Sequence, residues 1–268
     1  MTKKSKKNTK SAPVYSEGAS IESHDETFLT VKATVPDFPI VGIGASAGGL
    51  SAFEAFFSGM PADKNPDMAF VLVQHLDPDH KSILTDLIKR YTRMQVFEVE
   101  DGQIVHPNCT YIIPPNHDMA LMNGKLHLLA PHAPRGQRFP IDFFFYSLSQ
   151  DQRENAICII LSGTGSDGTE GTRAIKNEDG MVIVQTPGTS DYDGMPQSAI
   201  AAGLADFILS PSEMASHLIT YRSLAFKKPS GIIATSDTKA EEMLDKIFIL
   251  LRAHTCHDFS LYKPNKYI

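Results

Sequence analysis

The sequence predicts an α/β fold: a doubly wound, mostly parallel sheet. Two observations carry the prediction. Apolar runs that read as strands alternate with helical stretches of about ten to fifteen residues, the pattern of right-handed βαβ units. The first run, Phe38 to Ile43, breaks into the small residues Gly44-Ala45-Ser46-Ala47-Gly48-Gly49 and continues as an amphipathic stretch, Leu50 to Met60. That is the signature of a buried parallel strand, a tight turn and a helix.

Strands are expected at Phe38–Gly44, Met68–Gln74, Met94–Val99, Cys109–Ile113, Lys125–Leu129, Ala156–Leu161, Met181–Gln185 and Asp206–Leu209. Helices are expected at Leu50–Met60, Ser82–Tyr91, Ile141–Ser149, Gly168–Asn177, Met195–Ala202 and Ser212–Tyr221. Asn123-Gly124, between two short strands in the stretch from Cys109 to Leu129, signals a β-hairpin, expected at one edge of the sheet. The whole is Rossmann-like in architecture.

Outside this core the pattern changes. Residues 1–36 are lysine-rich at the start, then dominated by Ser, Glu, Thr and Asp with little periodicity, and read as a disordered tail. The sheet domain is expected over 37–222. Beyond it, 223–268 opens on a linker, Lys227-Lys228-Pro229-Ser230-Gly231, followed by a helix from Thr238 to His254.

Composition bounds the function. Of 268 residues, 42% are hydrophobic and 21% charged, so a sizeable core is available. A net charge of −6 argues against a nucleic-acid binder. No run of about twenty apolar residues is present, and the start, Met1-Thr2-Lys3-Lys4-Ser5-Lys6-Lys7, lacks the apolar segment of a secretion signal. Cys109, Cys158 and Cys256 have no metal-like spacing, which fits a reducing cytoplasm and neither disulfide nor metal. No cofactor is expected.

Ser46 stands at a strand-to-helix turn, where the helix dipole and free backbone N–H groups favour an anion or an attacking alkoxide. Gly44-Ala45-Ser46-Ala47-Gly48 fits the G-x-S-x-G form of a nucleophile elbow. Gly42-Ile43-Gly44-Ala45-Ser46-Ala47 equally fits a dinucleotide fingerprint. A dinucleotide site would need an acid at the end of the next strand to hold the ribose. That strand ends in Gln74-His75 instead. The bland alternative is glycines for close packing and Ser46 as a helix cap.

Three predicted strand ends carry reactive groups: Ser46, His75 and Asp167, the last in Leu161-Ser162-Gly163-Thr164-Gly165-Ser166-Asp167-Gly168. In an open α/β sheet, ligands bind outside such ends where strand order reverses. A hydroxyl, an imidazole and a carboxylate there are the parts of a nucleophile, base and orienter. His75 suits the base role because imidazole titrates near working pH. Backbone N–H donors for an oxyanion, each worth about 3–4 kcal/mol, are expected in the turn after Ser46, at Ala47, and at Thr164. The order Ser, His, Asp differs from the Ser, acid, His order of α/β-hydrolases. Asp167 has its own bland alternative, as a cap on the helix after Gly168.

Several motifs in one order resemble the catalytic domain of the chemotaxis receptor methylesterases (CheB type). They are Gly44-Ala45-Ser46-Ala47-Gly48-Gly49, Gln74-His75-Leu76, Glu100-Asp101-Gly102 and Tyr111-Ile112-Ile113-Pro114-Pro115. Phe139-Pro140-Ile141-Asp142, Gly163-Thr164-Gly165-Ser166-Asp167-Gly168 and Gly194-Met195-Pro196 complete the set. The resemblance spans about Pro39 to Tyr221. It implies hydrolysis of glutamate methyl esters on the cytoplasmic signalling helices of chemoreceptors, releasing methanol, often with deamidation of receptor glutamines; the expected partner is a methylated chemoreceptor or related signalling protein. It implies Ser46 as nucleophile, His75 as base and Asp167 as orienter. Thr164 stands where the family usually has a methionine, which matters little if the backbone N–H makes the contact.

The segment after His75, Leu76-Asp77-Pro78-Asp79-His80, adds two acids to the family's pattern, and Arg138 is a candidate contact for an acidic receptor surface. The family's phospho-receiver domain is not expected in residues 1–36. His257-Asp258-Phe259-Ser260-Leu261-Tyr262-Lys263-Pro264-Asn265 resembles the opening of a receptor methyltransferase domain, as in methylesterase–methyltransferase fusions; methyltransferase activity is not expected from this chain. Two other functions stand beside the esterase. One is a docking or regulatory module without activity; the other, disfavoured by His75, is a dinucleotide-binding oxidoreductase.

Overall fold

The apolar runs become the centre of a seven-stranded sheet in the computed structural model, which describes residues 38–75, 83–131 and 138–225. The strands are β1 (Ile40–Ala45), β2 (Ala69–Gln74), β3 (Gln95–Glu98), β5 (Cys109–Ile112), β8 (Ala156–Ile160), β9 (Met181–Gln185) and β10 (Phe207–Leu209). They lie in the order β10-β9-β8-β1-β2-β5-β3, and every pairing is parallel. Strands β1, β8 and β9 are buried along their whole length, as expected of a parallel sheet covered on both faces.

Alternation along each strand divides the core. Val41 and Ile43 of β1, with Phe70 and Leu72 of β2, face α1 (Gly49–Ser58), α2 (Ile83–Tyr91) and α6 (Pro211–Ala225), meeting Phe53, Phe56, Ile88, Met214 and Leu218. Val71 and Val73 of β2, with Cys158 and Ile160 of β8, point the other way. There they meet α3 (Pro140–Gln152), α4 (Thr169–Asn177) and α5 (Gly194–Ala201), through Ile141, Phe144, Leu148, Ile175 and Met195. Gly44 lets α3 press onto β1, since a Cβ there would strike the Ile141 side chain. The start of α3 is thereby brought to the C-terminal ends of the strands.

The hairpin is present, but not at the edge of the main sheet. Asn123 and Gly124, with φ of 52° and 70°, join β6 (Asp118–Met122) to β7 (Lys125–Leu129), the positive-φ pair of a type I′ turn. These strands form a separate antiparallel sheet with β4 (Gln103–Ile104). Cys109–Ile112 belongs instead to the main sheet, paired between β2 and β3. An apolar tetrapeptide flanked by turns does not reveal which sheet it joins, so the sequence groups it with the hairpin. The expected tail over 1–36, the helix from Thr238 to His254 and the methyltransferase-like segment lie outside the described residues.

From β1 the chain runs through α1 to β2 on one side, whereas β8, β9 and β10 progress on the other. Strand order therefore reverses between β1 and β8, and a crevice opens beyond their C-terminal ends.

Candidate active site

Three chain segments meet at that crevice. Ser46 follows β1, His75 follows β2, and Asp167 lies in the loop between β8 and α4. Ser46 Oγ is 3.4 Å from His75 Nδ1, and His75 Nε2 is 2.7 Å from Asp167 Oδ2. The network assigns the tautomer. Asp167, as a carboxylate, only accepts, so Nε2 carries the proton and Nδ1 presents its lone pair to the Ser46 hydroxyl. The imidazole side chain is 37% exposed and the carboxylate 3%, so the imidazole is open to a ligand while the carboxylate is dry.

Neither capping role is played. The N-caps of α1 and α4 are Gly48 and Gly168, and neither helix has a side-chain cap. Asp167 instead serves α3. Its Oδ2 also accepts the N–H of Ile141 at 3.1 Å, and Oδ1 that of Asp142 at 3.0 Å. Pro140 at the first position of α3 leaves these N–H groups as the free donors of the first turn. A carboxylate is well placed at the positive end of that helix.

The Ser46 turn is tied down from below. Ser46 N–H donates to the Ser162 carbonyl at 2.9 Å, extending the β1–β8 ladder by one step. The Ser162 hydroxyl, itself buried, lies 2.9 Å from the Ala47 carbonyl and 3.1 Å from that of Tyr192, and it accepts the Tyr192 N–H at 3.0 Å. Gly48 takes a left-handed φ of 72° to complete the turn. Gly163 passes so close to Ser46 that a Cβ on it would lie 3.0 Å from Ser46 Cβ and strike Met195 Sδ.

Ala47 is half-buried and Thr164 exposed, and both border the crevice. Among the described residues neither backbone N–H is engaged in a hydrogen bond. Arg138 donates to Asn116 Oδ1 at 3.1 Å. Residues Leu76 to His80, with the two additional acids, lie outside the described residues. Sequence reasoning did not find Ser162 or Asp142. Ser162 carries no signal beyond membership of a small-residue loop, and nothing in Phe139-Pro140-Ile141-Asp142 marks Asp142 for a role.

Asp142 adds a second carboxyl. Its Oδ1 accepts the N–H of Gly171 at 2.7 Å. Burial pushes this carboxyl up to about 6; the N–H of Gly171 opposes the rise, and the negative charge of Asp167 adds to it.

No group of His, Cys, Asp and Glu suited to a metal ion occurs among the described residues. No helix among them is long and apolar enough to cross a membrane.

The family model for the CheB methylesterase matches residues 41–218. A protein-glutamate methylesterase/protein-glutamine glutaminase of Thermotoga maritima is 31% identical over 195 residues, 71% of this chain and 56% of that protein. One from Moorella thermoacetica is 30% identical over 189 residues, 69% of this chain and 44% of that protein. The chain thus spans about half the length of these relatives. The crystal structure of the Thermotoga maritima CheB methylesterase catalytic domain superposes with a TM-score of 0.63 at 30% identity, covering 69% of this chain and 98% of that one. With a family model matched over most of its length and the same fold in a solved catalytic domain, this chain belongs to the CheB methylesterase family.

Proposed function

We propose that this chain is a protein-glutamate methylesterase acting through Ser46, His75 and Asp167. His75 Nδ1 takes the hydroxyl proton as Ser46 Oγ attacks the γ-ester carbonyl of a methylated glutamate. Asp167 holds Nε2–H and stabilises the imidazolium that forms. The N–H groups of Ala47 and Thr164 receive the oxyanion of the tetrahedral intermediate. Its collapse returns the proton from Nδ1 to the leaving methoxide, so methanol departs and a glutamyl-serine ester remains. A water molecule, deprotonated by the same nitrogen, then attacks the ester carbon, and the proton passes to Ser46 Oγ as its bond to the acyl group breaks, which releases glutamate and restores the hydroxyl. A glutamine side chain entering the same acyl-enzyme route would lose ammonia instead of methanol.

The observation that carries this reading is the relay itself, 3.4 Å from hydroxyl to imidazole and 2.7 Å from imidazole to a buried carboxylate, at the switch point of the sheet. The names of the relatives supply the substrate class, a glutamate methyl ester within a protein, and the resemblance points to the signalling helices of chemoreceptors. A cytoplasmic site of action accords with that substrate and with the free, buried Cys109 and Cys158. The deciding experiment is methanol release from methylated receptor helices by wild type and Ser46→Ala. Release by the wild type alone, with both proteins folded, is expected; equal release from both would reject Ser46 as the nucleophile.

A further inference from the structure

Gln74 takes no part in the steps above, yet its side chain reaches the turn that carries Ser46. It closes β2 in register with Ala45, the last residue of β1. Its Nε2 donates to the Ser46 carbonyl oxygen at 3.4 Å, and the same oxygen accepts the Gly49 N–H at 2.9 Å. The amide packs against the start of α1, so closely that a Cβ on Gly49 would lie 3.1 Å from Nε2. Its orientation follows from chemistry, because only the nitrogen end can face a carbonyl. The other end gains nothing from this placement. Gln74 Oε1 is buried and has no hydrogen-bond partner. A buried acceptor left unpaired costs stability, so its presence calls for a compensating role.

The covalent geometry of the next peptide supplies that role. The Ser46 carbonyl and the Ala47 N–H belong to one planar trans peptide group, so they point in opposite directions. Gly49 from α1 and Gln74 from β2 both hold the carbonyl end. The N–H end is thereby turned away from them, and among the described residues it has no partner. We propose that Gln74 is a positioning residue for the oxyanion: by holding the Ser46 carbonyl, it aims the Ala47 N–H at the place where charge develops on the tetrahedral intermediate. The inference rests on Ser46 as the nucleophile and not on the identity of the ester. Without the side-chain amide, Gly49 alone holds the carbonyl, the peptide plane is free to tilt, and the donor loses its aim.

The test is Gln74→Met, which keeps the length of the side chain and removes both polar ends of the amide. Ser46 is labelled in the full chain with a fluorophosphonate probe, its Oγ bonding to phosphorus as fluoride leaves. Wild type and variant are compared over a range of probe concentrations, each checked for folding by thermal melting. The limiting rate is expected to fall about ten- to a hundredfold at an unchanged half-saturating concentration, somewhat less than the loss of a whole oxyanion donor. The phosphorus-31 NMR resonance of the Ser46 adduct should also move from its wild-type position, because the phosphoryl oxygen loses a hydrogen bond. A residue that only packs would leave that resonance where it was. A limiting rate within about twofold of wild type, or an unmoved phosphorus resonance, overturns the proposal. If Gln74→Met fails to fold, the wild type answers the question instead. Its Gln74 side-chain amide protons should shift in the NMR spectrum when Ser46 is phosphonylated, since they and the new phosphoryl oxygen hold opposite ends of one peptide group. Amide protons that stay in place overturn the proposal. No readout uses a glutamyl ester. A chain that shows these effects but releases no methanol keeps this inference and loses only the proposed substrate, whereas a folded wild type whose Ser46 ignores the probe loses both.

Discussion

His75 Nε2 and Asp167 Oδ2 lie 2.7 Å apart, while the other imidazole nitrogen stands 3.4 Å from the Ser46 hydroxyl. The imidazole thus sits closer to Asp167 than to the Ser46 hydroxyl. Asp167 does this with an oxygen that also accepts the Ile141 N–H, and its second oxygen is taken by Asp142 N–H. Three donors converge on one carboxylate.

Asp167→Asn tests that convergence. An amide offers only one carbonyl oxygen, so its NH2 must face at least one of the three donors. Either the His75 tautomer reverses, leaving Nδ1 protonated and useless as a base, or a helix N–H loses its acceptor. The expected outcome is a kcat lower by about 10³- to 10⁴-fold and a stability loss of about 1–3 kcal/mol from the unsatisfied donor. Methanol release and denaturant unfolding measure the two effects separately. A variant within tenfold of wild-type turnover would contradict the orienting role.

Ser162→Ala addresses the floor of the nucleophile turn. Its hydroxyl bridges the Ala47 carbonyl and the Tyr192 backbone, joining the loop after β1 to the loop before α5. Removing it strands a Tyr192 N–H and frees the turn that carries Ser46. A loss of about 1–3 kcal/mol is expected, with slower Ser46 labelling at unchanged probe affinity. Equal labelling rates in the two proteins would show that the turn holds its shape without this bridge.

Gly163→Ala is a sharper perturbation at the same place. The new methyl would strike Met195 Sδ and crowd Ser46 Cβ at 3.0 Å. Met195 is fully buried and must shift with its packing. Overpacking of this kind costs about 1–3 kcal/mol, and here it also displaces the nucleophile. Unfolding experiments should find the variant destabilised, and hydrolysis should fall more than the stability loss alone explains. Unchanged turnover would mean that Ser46 tolerates movement which the proposed attack geometry forbids.

Much of this site was legible before folding. Ser46, His75 and Asp167 each follow an apolar run, and parallel topology sends the ends of such runs to one edge, so spacing makes the trio candidates and the resemblance to the methylesterase motifs gives them their roles. The bland roles of Ser46 and Asp167 as helix caps could be dismissed only in three dimensions, where glycines cap both helices. The assignment of Cys109–Ile112 failed because a short apolar strand carries no label for its partner; burial against β2 and β3 decides it. Ser162 and Asp142 were invisible for another reason. Their importance lies in hydrogen bonds to backbone groups remote in sequence, 115 positions away for Ser162 with Ala47 and 29 for Asp142 with Gly171, and backbone donors leave no trace in residue type.

Asp142 also makes stability depend on pH in a direction unusual for an acid. Most carboxylates in folded proteins are stabilised in ionised form, so stability falls as pH drops. Here burial, the largest cause, raises the carboxyl from 3.8 unfolded to about 6 folded. The folded state therefore binds the proton more tightly. This contribution is complete below about 3.8 and is lost as pH rises through about 6. Allowing for partial solvent exposure, its size is on the order of 1–2 kcal/mol. Between pH 4 and 7, from about 2 units below the folded value to about 1 unit above it, Asp142→Asn should flatten this falling component of the unfolding free energy, measured by denaturant titration at each pH. A wild type and variant with parallel profiles across that window would mean that Asp142 ionises in the folded protein as readily as in the unfolded chain.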